Sequence, residues 1–110
     1  MWWPGSSDFQ NGGIFRSGIA IIVEYDVEPG SLGEHECRVR TSAAKCLQED
    51  GCLRMEVFVP EGQENKLVLS ELWRDEAALK VHRNQAGHAE DHAHIDELCV
   101  GKSVRRGNLL

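Results

Sequence analysis

The stretch "HRNQAGHAEDHAHIDE", residues 82–97, carries the side chains best suited to chemistry at neutral pH. His82, His88, His92 and His94 are four of the chain's five histidines, and Glu90, Asp91, Asp96 and Glu97 are interleaved with them. Imidazole titrates near neutrality, so each histidine is a candidate proton carrier or metal ligand. Three uses compete for the cluster: a metal site, an acid-base site, and a solvated helix face.

Spacing sorts them. His88 and His92 stand one helical turn apart on a single face, the spacing of the zinc motif H-E-x-x-H. That motif places glutamate directly after the first histidine, whereas this chain has Ala89 there, and Glu90 points about 200° round the helix from His88. His94 falls on another face. The expectation is therefore no metal site, with Glu90, Asp91 and His94 in water. His82 differs, because it shares a face with Ala78 and Leu79 at the end of "RDEAALKVH". It is the best candidate for a catalytic base, with Trp73 as an aromatic wall. The competing reading makes His82 a donor to a carbonyl at a half-buried helix end and Trp73 ordinary core. Tyr25 could hydrogen-bond a substrate oxygen, or be core. Arg54, Arg74 and Arg83 stand at element edges, where single arginines are usually solvated.

The elements that must position these groups are legible in the patterning. Ile19, Ile21, Val23, Tyr25 and Val27 alternate with Ala20, Ile22, Glu24 and Asp26, which predicts a strand. "EPGS" turns the chain, with Ser31 and Glu34 as a capping box for a helix over 32–50. Leu32, His35, Val39, Ser42, Ala43, Cys46 and Leu47 form its apolar stripe. Gly51 suits the left-handed position past that helix. "CLRMEVFVP" predicts a second strand with Leu53, Met55, Val57 and Val59 on one face. "EGQEN" links it to "KLVLSELW", where Leu67, Leu69 and Trp73 share a side. Asp75 is the expected N-cap of the next helix, Gly87 interrupts it, a short helix runs from His88 to about Leu98, and "CVGKSVRRG" is a last strand. The order β-α-β-β-α-β is that of a ferredoxin-like α+β plait with an antiparallel sheet. Apolar residues on both strand faces leave one face to be covered, most simply by a second copy.

Composition sets the outer limits. The 110 residues suit a single domain, which we place at 19–110, with the Gly- and Ser-rich residues 1–18 as a flexible leader. In that leader Trp2 and Trp3 could dock on a partner subunit. A net charge of -6 and a pI near 5.3 argue against nucleic acid and anionic membranes, since "KSVRRG" is the only basic cluster. "IAIIV", the longest apolar run, is far below the roughly 20 residues of a membrane span. No secretory signal is readable, so a cytoplasmic location is expected. Cys37, Cys46, Cys52 and Cys99 lack CxxC spacing, which favours reduced thiols over disulfides or a zinc site.

"VEPG", "EDGCLRMEVF" and above all "LVLSELWRDEAALKVHR" resemble the antibiotic biosynthesis monooxygenase domain family, over roughly residues 19–105. This family includes small quinol monooxygenases and autoinducer-degrading isomerases. The resemblance implies a homodimeric α+β barrel with a cavity in each subunit and no metal, flavin or haem cofactor. It implies a site role for His82. His88 stands in for a second family histidine, although five residues separate it from His82 instead of four, and Ala89 replaces the following aromatic. Ser42 aligns with an asparagine that some members turn toward the cavity. The implied activity is cofactor-independent monooxygenation of a small aromatic, quinol-like substrate by molecular oxygen, with His82 as base or oxyanion donor. The alternatives are an isomerase of a small oxygenated metabolite, which needs the same base and cavity, and a non-enzymatic ligand-binding or dimerisation module.

Overall fold

The computed structural model describes residues 18–110. The expected leader, Trp2 and Trp3 included, lies outside the described residues apart from Gly18. The order is β1 (Ile19–Val27), α1 (Leu32–Cys46), β2 (Cys52–Phe58), β3 (Lys66–Trp73), α2 (Glu76–Arg83), α3 (His88–Asp96) and β4 (Cys99–Asn108). The strands form one antiparallel sheet in the order β2-β3-β1-β4. This is the ferredoxin-like α+β fold, with its second helix divided into α2 and α3.

Period-two alternation in β1 sends Ile19, Ile21, Val23, Tyr25 and Val27 inward, all nearly buried. Against them pack Val39, Ala43 and Cys46 from α1, Leu79 from α2 and Ile95 from α3, in one continuous core. Each fully buried aliphatic side chain contributes about 1.5–3 kcal/mol. The apolar alternation thus commits the helices to one face of the sheet.

Local chemistry fixes the junctions. Asp75 caps α2 as expected, its carboxylate accepting from the Ala78 N–H at 2.8 Å. Gly51 has φ +95°, and a Cβ there would stand 2.5 Å from the Ala78 Cβ, so only glycine lets the start of β2 approach α2. Gly87, at φ 91°, turns the chain between α2 and α3 and brings His88 back toward His82.

Three expectations are corrected. The capping box does not form: Ser31 has φ -107° and ψ 4°, outside the extended range that aims its hydroxyl at the helix, and Glu34 pairs with Arg38 one turn on. Leu47 is 48% exposed because α1 ends at Cys46 and the chain turns toward Gly51 before the stripe can continue. Leu53 is 58% exposed because the β2–β3 register shifts between Cys52 and Arg54, leaving Leu53 unpaired while Cys52 takes the inward position.

The outer sheet face carries half-buried Ile22 and Leu72 and the exposed Phe58. Among the described residues, no helix is long and apolar enough to cross a membrane.

Candidate functional site

A cavity of about 300 Å³ lies between the inner sheet face and the helices. Ile21, Val23, Leu69 and Met55 give it an apolar floor, and its polar groups converge from α1, α2, α3 and β4. This volume is at the small end of ligand pockets, enough for one small molecule.

His82 stands at the cavity wall, its ring centroid 4.5 Å from that of Trp73. Its Nδ1 lies 2.9 and 3.1 Å from the two carboxylate oxygens of Glu49, in the turn that follows α1. An ionised carboxylate only accepts, so the contact assigns the proton to Nδ1 and leaves the Nε2 lone pair available. The His82 and Glu49 side chains are only 12% and 16% exposed, so water competes little for this bond.

Behind this dyad, the Trp73 Nε1 donates to Glu71 Oε1 at 2.9 Å. Glu71 lines the cavity, and burial raises its pKa, with the Trp73 bond opposing in part. The Tyr25 hydroxyl also titrates well above its ordinary value, through burial first and the nearby Asp96 second. It therefore stays a neutral donor. Cys46 is pushed up to about 12, chiefly by burial, so its thiol stays protonated and a poor nucleophile.

His88 meets His82 edge-on, with centroids 4.8 Å apart, and the His92 ring stands 4.2 Å from His88. Burial lowers the pKa of both His88 and His92, with His82 and His88 respectively the next contributor. Ion pairs close the cavity edge: Lys45 with Asp91 at 2.9 Å and Lys102 with Asp96 at 3.0 Å. The Lys102 Nζ also stands 5.7 Å from the Tyr25 ring centre.

Of the residues singled out from sequence, His82, His88, Tyr25 and Ser42 line this cavity. Trp73 is fully buried beneath His82 and Glu71, so it supports the cavity wall from behind. His94 is exposed, as its helical position implied. Arg83 lines the cavity, whereas Arg74 pairs with Asp50 and is not among the lining residues. Sequence reasoning missed Glu71, Glu49 and the participation of His92. Glu71 had a signal, since it shares period-two alternation with Leu67, Leu69 and Trp73. Glu49 had none, being 33 residues from His82.

The arrangement offers a base with an oriented lone pair, the neutral Tyr25 hydroxyl in the same cavity, and an apolar floor. It suits proton abstraction from a small, flat, weakly acidic molecule.

A family model for antibiotic biosynthesis monooxygenases matches residues 18–94. No curated protein matches the sequence significantly. Among solved structures, a Bacteroides thetaiotaomicron protein of unknown function, described as a possible oxidoreductase, superposes with TM-score 0.79 at 20% identity, covering 86% of this chain and 99% of its own. A Pseudomonas aeruginosa protein gives 0.77 at 22% identity, with 87% and 97% covered. A candidate antibiotic biosynthesis monooxygenase from Caulobacter crescentus gives 0.76 at 20%, with 93% and 98% covered. At these identities the structural likeness speaks to the fold. The family match is independent of it and runs from β1 through most of α3, taking in the His82–Glu49 pair, so this chain belongs to the antibiotic biosynthesis monooxygenase family.

Proposed function

We propose that the protein is a cofactor-independent monooxygenase of a small aromatic, quinol-like substrate, working as a homodimer. The observation that carries this reading is the Glu49 carboxylate held against His82 Nδ1 in a cavity with an apolar floor. Glu49 orients the imidazole and stabilises the imidazolium that forms when Nε2 takes the substrate's phenolic proton. The neutral Tyr25 hydroxyl lines the same cavity and can donate to a substrate oxygen. Desolvation in the cavity makes the phenolate a better electron donor to oxygen.

The atoms balance without a further reductant. The phenolate passes an electron to O₂, the two radicals combine at a hydrogen-bearing ring carbon next to the one that carries the oxyanion, and the peroxide O–O bond breaks. One oxygen atom stays as the new quinone carbonyl. The other leaves as water with the ring hydrogen and the phenolic proton, the latter returned by His82.

The outer face supports the dimer. Phe58 is 52% exposed there opposite Val68, and Ile22 and Leu72 lie farther along the same face, apolar side chains that a second copy would cover. Oxygen-electrode measurements across a panel of quinols test the activity. Uptake that falls in His82→Ala is the expected result, and no uptake across the panel, or undiminished uptake in His82→Ala, refutes the mechanism. Turnover of an oxygenated metabolite without oxygen uptake would favour the isomerase reading instead.

A further inference from the structure

We propose that His82, His88 and His92 form a three-histidine site for a divalent transition-metal ion such as Zn²⁺, at the mouth of the cavity. One ring nitrogen of each histidine lies within 4.8 Å of the others. A tetrahedral ion with bonds of about 2.1 Å needs nitrogens about 3.4 Å apart, so closure asks for shifts of about 1.4 Å or less. His92 is exposed and His88 only half-buried, so side-chain rotation can supply that movement.

Two further features favour an ion over three rings that merely stack. The Glu49 contact at His82 Nδ1 is the carboxylate–histidine relay that orients metal-bound imidazoles, and it leaves Nε2 for coordination. His88 and His92 come from successive turns of α3, while His82 comes from α2 across Gly87, so the three donors converge from two directions. The charges facing the site also suit a cation. Glu49, Glu71 and Asp91 line the cavity with Lys45, Arg83 and Lys102, and both lysines are engaged by carboxylates, Lys45 by Asp91 and Lys102 by Asp96. A set of imidazoles selects borderline ions such as Zn²⁺, Ni²⁺ or Cu²⁺ over Mg²⁺ or Ca²⁺. The remaining coordination position opens on the cavity, where a water or a ligand oxygen fits.

A competing set, Cys46, Glu49 and His82, shares one ligand. Its cysteine is buried as a thiol, and Glu49 would have to leave His82 Nδ1, so we assign the ion to the histidines. Bound at His82 Nε2, the ion takes the lone pair that the proposed base uses. It should therefore inhibit, and only this consequence rests on the oxygenase reading.

The test uses the full-length chain without a purification tag, stripped with chelator. Co²⁺ is followed by visible absorption, and Zn²⁺ by calorimetry and elemental analysis after dialysis. One ion per chain is expected, with the strong visible bands of tetrahedral Co²⁺. Binding should be lost in His88→Ala and His92→Ala, and weakened roughly 10- to 100-fold in Glu49→Gln. Circular dichroism establishes that each variant is folded, and exposed His92 is the position least able to disturb the core. Absence of stoichiometric binding overturns the site, as does undiminished binding in folded His92→Ala. Thiolate-to-Co²⁺ charge transfer that disappears in Cys46→Ser also overturns it, by placing the ion on the other set. None of these readouts needs activity, so a chain that consumes no oxygen leaves the metal result standing.

Discussion

Removing the Glu49 carboxylate is the sharpest perturbation of the proposed mechanism. Its two oxygens stand 2.9 and 3.1 Å from His82 Nδ1, and both side chains are largely shielded from water. A hydrogen bond to a charged group in such a setting contributes about 1.5–3 kcal/mol. Taking about 2 kcal/mol, and a tenfold change for each 1.36 kcal/mol, Glu49→Ala should lower kcat/KM about 30-fold. Glu49→Gln keeps an acceptor but loses the charge, which is worth about half the bond, and should cost about 5-fold. The assay is oxygen uptake with the best quinol of the panel. Because Glu49 acts through His82, adding Glu49→Ala to His82→Ala should cause no further loss. Losses that instead multiply would show that Glu49 works by another route. Nitrogen NMR supplies a readout that needs no substrate, since in the neutral wild type the proton should sit on Nδ1 of His82. A dominant Nε2–H tautomer would refute the orientation argument outright.

Other consequences can be measured on the folded chain. Gly51→Ala forces a Cβ to within 2.5 Å of the Ala78 Cβ at φ +95°, and should destabilise by about 2 kcal/mol or more, seen as a Tm fall of about 8 °C or more. His35 is fully buried, with its Nε2 3.2 Å from Cys99 Sγ and its ring against Tyr25; burial lowers its pKa, with Asp96 opposing and Arg38 reinforcing. The unfolded chain therefore takes up a proton that the folded chain refuses as pH falls below the ordinary imidazole value near 6.5. Denaturation between pH 7.5 and 5 should show stability falling on acidification, by at most about 1.4 kcal/mol per pH unit from this group, and His35→Gln should flatten the slope. Phe58→Glu places a charge on the outer sheet face opposite Val68, and sedimentation should show wild type as a dimer at micromolar concentration and the variant as a monomer. A monomeric wild type would contradict the dimer.

Much of the fold was legible because its signals are local. Alternation in β1 and β3 follows from the two-residue period of a strand, and it named the inward-facing residues Ile19, Ile21, Val23, Tyr25 and Val27 of β1 and Leu67, Leu69 and Trp73 of β3, although Val68 on the opposite face of β3 is buried as well. Asp75, Gly51 and Gly87 announced their junctions through capping and left-handed backbone preferences that depend on a few neighbouring atoms. The misreadings fall where a neighbour from elsewhere in the chain decides. Leu53 obeyed the alternation in sequence but lost its inward place to a bulge, which exists only in the pairing of β2 with β3.

The site divides in the same way. The sequence by itself determined that His82 ends an amphipathic helix facing the core, that His88 and His92 share a face, and that Tyr25 points inward. Only the tertiary structure decided that Glu49 meets His82 from 33 residues away, that Trp73 lies behind the cavity wall, and that the turn at Gly87 carries two α3 histidines up to the one on α2. The physical reason is that helical and strand periods fix the direction of a side chain relative to its own element. What it meets depends on how packed elements cross, and that is settled by burial summed over the whole core.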